Sequence, residues 1–70
     1  MKLRSMKVFC DVVTRRSFSR AAKDNQITQS ATSQIITQLE KRLDVKLLDR
    51  SKRPFTVTDE GRQYFEGCHR

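Results

Sequence analysis

The sequence predicts a mainly α-helical fold, a winged helix-turn-helix with a three-helix core, a two-stranded β-wing and the start of a C-terminal helix. Three observations predict it. Apolar residues recur at helical spacing from Leu3 to about Leu43, and neither glycine nor proline interrupts them. A short helix carrying the small pair Ala21-Ala22 lies between two longer helices, and small side chains let helices cross closely at a steep angle. Beyond Asp44 the period changes, and Val45–Leu48 and Pro54–Val57 each read as a short strand on either side of a polar turn.

The first helix is expected from about Leu3 to Thr14. Leu3, Met6, Phe9, Cys10 and Val13 share its main apolar face, while Val8 and Val12 form a second, smaller stripe. Arg15 and Arg16 close it, where positive charge suits a helix C-terminus. Ser17 is the N-cap of the second helix, residues 18–24, with Asn25-Gln26 as the turn and Ile27 returning to the core.

Thr28 caps the third helix, expected over Gln29–Leu43. Thr32, Ile36, Leu39 and Leu43 lie along its inner face, with Ile35 on the shoulder. Ser30, Ser33, Gln34, Thr37 and Lys41 fall on the other side. Asp44 stands where a left-handed, helix-ending residue is needed. A two-stranded hairpin is not stable by itself, so the wing must lean on the helices, with Leu47, Phe55 and Val57 as anchors. Thr58 is a third N-cap, followed by Asp59 and Glu60 in the first turn, where acid suits the dipole. Gly61, Tyr64, Phe65 and Cys68 form one stripe of this last helix. Packing against Val8 and Val12 and starting a dimerising helix are both compatible with that stripe. The helix has no stop signal before Arg70, so the chain reads as a piece of a longer one.

Seventy residues make one small domain. A chain this short buries only about 60% of the surface its unfolded form exposes, which leaves little room for a water-excluded pocket beside the core. Fifteen Lys and Arg against eight Asp and Glu give a net charge of +7, which suits a polyanionic partner. No apolar run approaches the ~20 residues that span a bilayer, and the N-terminus is no secretory signal, so no membrane partner is expected. Two cysteines and one histidine cannot supply a four-ligand zinc site, and no metal or cofactor is expected. The chain reads as a reduced, cytoplasmic protein. Cys68-His69 is no catalytic pair, because adjacent helical residues point about 100° apart. No enzyme is expected.

The segment from Thr28 to Leu39 carries no charge, in a chain that is 33% charged. Exposed helix faces usually carry Glu and Lys, the better helix formers. A face of Gln, Ser and Thr instead suits the reading of base edges, since Gln pairs bidentately with adenine and a hydroxyl serves any base. The methyls of Ala31 and Thr32 are candidates to touch a thymine methyl. Arg20, Lys41, Arg50, Lys52 and Arg53 surround this face, as phosphate contacts would. Arg50, Lys52 and Arg53 crowd the wing loop, and Pro54 biases Arg53 toward an extended backbone, from which a basic side chain enters a minor groove. The alternative reading is a winged-helix module that docks a protein through its uncharged face.

The ordered pieces together resemble a known family. They are Leu3-x-x-Met6-x-x-Phe9, then Ser17-Phe18-Ser19-Arg20-Ala21-Ala22, then Thr28-Gln29-Ser30-Ala31-Thr32-Ser33. Leu39-Glu40, Leu43, Leu47-Leu48-Asp49-Arg50 and Val57-Thr58-Asp59-Glu60-Gly61 follow. The chain resembles, along its whole length, the N-terminal domain of LysR-type bacterial transcriptional regulators. The resemblance implies a winged helix-turn-helix over residues 1–58 and, from residue 59 to 70, the start of a linker helix that pairs two subunits into a homodimer. A small-molecule effector would bind a separate C-terminal domain. By position, Gln29, Ser30, Ala31, Ser33 and Gln34 would meet double-stranded DNA in the major groove. Thr28 would cap the helix beside a phosphate, and Arg50, Lys52, Arg53 and Pro54 would form the wing contact. Asn25 stands where the family commonly has Leu, Ser30 and Ala31 where proline is frequent, Gln34 where Arg is frequent, Asp44 for Gly and Leu48 for Phe. No operator sequence is carried over.

Overall fold

The computed structural model describes residues 2–52 and 55–68. Its elements run α1 (Lys2–Arg15), α2 (Phe18–Asp24), α3 (Gln29–Leu43), β1 (Leu48–Asp49), β2 (Thr56–Val57) and α4 (Asp59–Cys68). The mainly helical, winged helix-turn-helix architecture is as expected.

Each inner helix begins on a side-chain cap. The Ser17 hydroxyl accepts the Arg20 N–H at 3.1 Å, and the Thr28 hydroxyl accepts the Ala31 N–H at 3.0 Å. These bonds satisfy donors that have no partner inside the helix. Between the helices, Ala21 and Ala22 are buried at the crossing, and the Ile27 N–H donates to the Ala22 carbonyl at 3.0 Å. Ile27 packs half-buried against the core.

The turn is tied to α1 by polar groups. Asn25 Nδ2 donates to Asp11 Oδ2 at 2.9 Å and to the Ala21 carbonyl at 2.8 Å, and Lys7 Nζ donates to Asp11 at 2.9 Å. Arg15 forks across Asp24 at 2.8 and 3.2 Å, fastening the end of α1 to the end of α2.

α1 packs against α2, α3 and α4. That position corrects the expected order of its faces. Val8 and Val12, expected as the minor stripe, are fully buried with Phe9, while Met6, Cys10 and Val13 are only half-buried. A helix enclosed on three sides buries a wider arc than one apolar stripe. α4 meets α1 through Tyr64, whose ring lies edge-on to Phe9 at 5.5 Å.

α3 ends at Asp44, in the left-handed conformation (φ 58°, ψ 36°), as its position required. Leu43, expected in the core, is 38% exposed beside this exit. The strands differ from the expected spans. Val45 and Lys46 serve the helix exit, where the Val45 N–H donates to the Glu40 carbonyl at 3.2 Å, so pairing starts only at Leu48. Val45 is 37% exposed. β1 and β2 are antiparallel, with Leu48 opposite Val57 and Asp49 opposite Thr56. Leu47 and Leu48 are both buried and fix the wing to the helices. Phe55 and Val57, the other expected anchors, pack half-buried against the same core.

Candidate nucleic-acid interface

α3 presents the candidate residues in a continuous array. Thr28, Gln29, Ser30, Gln34 and Thr37 are exposed, and Ala31 and Ser33 are half-buried at its edges. Thr32 departs from expectation. It is fully buried, and its hydroxyl donates to the Thr28 carbonyl at 3.0 Å. Its methyl faces the core, so the expected contact with a thymine methyl is withdrawn for Thr32.

The wing loop starts on a local turn. Asp49 Oδ1 accepts both the backbone N–H and the hydroxyl of Ser51. Those two hydrogen bonds, with the nearby charge of Lys52, hold the Asp49 carboxyl below the usual carboxylate range. The turn lets an acidic residue shape the loop from within while Lys52 stays exposed. Arg53 and Pro54, both expected in the wing contact, lie outside the described residues.

Arg50 is placed differently from a wing-tip side chain. Its Nη1 donates to Ser33 Oγ at 2.6 Å, and its guanidinium carbon lies 4.7 Å from the centre of the Phe18 ring. Phe18 meets Phe55 edge-on at 5.2 Å. α2, α3 and the wing therefore meet at one cluster, which lines a shallow notch with Gln29 and Ser30. Neither Phe18 nor the Arg50–Ser33 pairing was identified from sequence. The only signal was an aromatic residue at the start of α2 and another at the end of the wing loop.

Arg20 and Lys41 are exposed, on α2 and α3. Among the described residues no group of His, Cys, Asp and Glu side chains is arranged to hold a metal ion, and no helix is long and apolar enough to cross a membrane.

Comparison with known proteins gives this arrangement a family. The family model described as "Bacterial regulatory helix-turn-helix protein, lysR family" matches residues 3–62. The chain belongs to the LysR family. It is similar to the HTH-type transcriptional activator AaeR of Escherichia coli (strain K12), 45% identical over 69 residues, which covers 99% of the chain. It is also similar to the HTH-type transcriptional regulator CrgA of Neisseria meningitidis serogroup C (strain 8013), 45% identical over 65 residues and 93% of the chain. The chain spans 22% of the length of each of these relatives. Among solved structures, BenM_DBD in its complex with catB site 1 DNA superposes with a TM-score of 0.92 at 37% identity. That match covers 97% of this chain and 73% of the other. The LysR-type resemblance read from the sequence and the winged helix-turn-helix are therefore both established.

Proposed function

We propose that this LysR-family domain binds double-stranded DNA in a sequence-specific way, as the DNA-reading part of a bacterial transcriptional regulator and not as an enzyme. The observation that carries this reading is the uncharged, exposed face of α3, flanked by basic side chains and joined to the wing at Arg50. Gln29, Ser30, Ala31, Ser33, Gln34 and Thr37 face base edges in the major groove, and Thr28 approaches a phosphate. Lys52, Arg53 and Pro54 belong to the wing contact with the flanking minor groove, while Arg50, expected there from the sequence, is held against Ser33 and Phe18 and joins the wing to α3. The DNA complex of BenM_DBD, similar to this chain over nearly its whole length, supports the reading.

Residues 1–58 form the reading unit in this proposal, and α4 begins the linker through which two subunits pair. A small-molecule effector acts on a separate domain of the whole regulator. The place of action is the cytoplasm, where the bacterial chromosome lies.

The test is fluorescence anisotropy of the chain with a mixed-sequence duplex across a salt series. Each phosphate contact releases counterions, so log affinity should fall linearly with log salt, by roughly 0.9 per contact. Absence of binding at low salt would overturn the proposal.

A further inference from the structure

We infer that Arg50 acts on DNA through Ser33: its guanidinium turns the Ser33 hydroxyl into a hydrogen-bond donor that favours guanine and rejects cytosine at one position of the site. This rests on the proposed reading of the major groove by α3.

Arg50 is held from three directions. Its Nη1 donates to Ser33 Oγ at 2.6 Å, and its Nη2 points at the Ser33 carbonyl at 3.5 Å. Its guanidinium lies over the Phe18 ring, which Phe55 of the wing holds edge-on. A side chain so fixed is a poor candidate for a mobile phosphate anchor. It is well placed to orient one neighbour.

The chemistry of that neighbour follows. A serine hydroxyl has one hydrogen to donate and two lone pairs to accept with, whereas a guanidinium only donates. Ser33 must therefore accept from Arg50, and its own hydrogen turns away from the guanidinium. Among the described residues the Ser33 hydroxyl makes no other hydrogen bond. The charged donor also draws electron density from Oγ, which strengthens O–H as a donor and weakens the remaining lone pair as an acceptor. In the major groove guanine presents two acceptors, N7 and O6, while cytosine presents an amino donor. A hydroxyl polarised beside a positive charge discriminates between these two.

Four variants and a selected site test this. The preferred duplex is first selected from a random pool with the wild-type chain, and each base pair is then varied singly. Ser33→Ala should reduce the guanine-over-cytosine preference at one pair about tenfold. Arg50→Lys keeps the charge but lacks the planar fork, and should reduce the preference at the same pair by a similar factor. The double variant should lose no more than either single one, and Ser33→Thr, which keeps a hydroxyl, should retain the preference. Circular dichroism melting confirms folding, and Ser33→Ala, a truncation at the surface, guards against loss of the Arg50→Lys variant.

Equal weakening of every duplex by Arg50→Lys, with the preference intact, would assign Arg50 to the DNA backbone and overturn the inference. A Ser33→Ala variant that shifts no base pair would overturn it as well. Failure of the wild-type chain to bind any duplex is a separate result, and counts against the DNA reading itself.

Discussion

The Glu40 carboxylate, on the inner side of α3, accepts the backbone N–H groups of both Leu47 and Leu48, at 2.8 and 3.1 Å. Glu40 is buried, and the two N–H groups begin the wing. One side chain therefore sets where β1 leaves the helices. Glu40→Ala leaves two buried donors without a partner, at a cost of about 2–4 kcal/mol. That approaches the whole stability available to a domain this small, roughly 3–5 kcal/mol. Glu40→Gln keeps one acceptor oxygen and should lose about 1 kcal/mol. Urea denaturation of the two variants checks both figures, and a Glu40→Ala midpoint equal to wild type would show that the bonds carry no stability.

Gly61 packs against the same strand end from the other side. A Cβ built there would lie 2.1 Å from the Leu47 carbonyl oxygen and 3.0 Å from Val57 Cγ1. The closest atom is backbone and cannot rotate away. Gly61→Ala should therefore separate α4 from the wing and cost about 1–3 kcal/mol, despite alanine's better helix propensity. Gly67, in the same helix, has nothing within 4 Å of such a Cβ. Gly67→Ala should stabilise instead, by about 0.5–1 kcal/mol. Opposite shifts in thermal midpoint would confirm the contrast, and equal ones would refute it.

These two residues show where sequence reading stopped. Caps were legible because the signal is local: Ser17, Thr28 and Asp44 each sit within a few residues of the groups they serve. The helix-turn-helix was legible for a related reason, since Ala21-Ala22 and the flanking periodicity state the crossing directly. Glu40 was not, because its partners are seven and eight residues away across a change of element. A glutamate between Leu39 and Leu43 otherwise reads as a solvated position. Val8 and Val12 were ranked below Met6 and Val13 because a helical wheel shows one stripe and not how many neighbours surround the helix. Thr32 was placed in two roles by pattern alone, and only its burial decided for the core. At the candidate site, the uncharged face of α3 was visible in composition. The direction of Arg50 was not, since it depends on Phe18, Ser33 and Phe55 meeting in space.

Asp44 is a non-glycine residue at φ 58°, the conformation that glycine adopts without steric penalty. A left-handed backbone costs most side chains roughly 1–2 kcal/mol, and aspartate somewhat less. Asp44→Gly relieves that cost but adds freedom to the unfolded chain. A net gain of about 0.5 kcal/mol is expected, with the caps at Glu40 and Lys41 carbonyls retained. A lower thermal midpoint for this variant would show that the aspartate side chain contributes more than the backbone strain removes.

The Asp11 cluster makes stability depend on acid. Partial burial pushes the Asp11 carboxyl up, but hydrogen bonds from Lys7 and Asn25 and the charges of Lys7 and Arg15 outweigh it. The net effect is a pKa below the ordinary 3.8. A carboxyl whose folded pKa is depressed adds stability that is present above its unfolded pKa and is lost as pH falls through the folded one. The wild-type domain should therefore lose stability from about pH 4 downward, in step with protonation of Asp11. Asp11→Asn should be less stable than wild type at neutral pH and should converge toward it in acid. Thermal midpoints taken across that range test this, and parallel curves for the two proteins would exclude Asp11 as the source.

Reading and anchoring should separate in binding data. Gln29 is exposed at the first position of α3, beside the notch that Ser30, Ser33, Phe18 and Arg50 line. A base contact through its amide is worth about 1–3 kcal/mol for the correct base and little for the others. Gln29→Ala should therefore change which duplexes are preferred while leaving the salt dependence intact. Arg53→Ala, in the wing loop, should weaken binding to most sequences and lower the salt slope by about one contact. Both are measured by anisotropy on a panel of duplexes differing at single base pairs. Equal loss on every duplex for Gln29→Ala would remove its base-reading role, because a phosphate or packing contact has no means of telling one base from another.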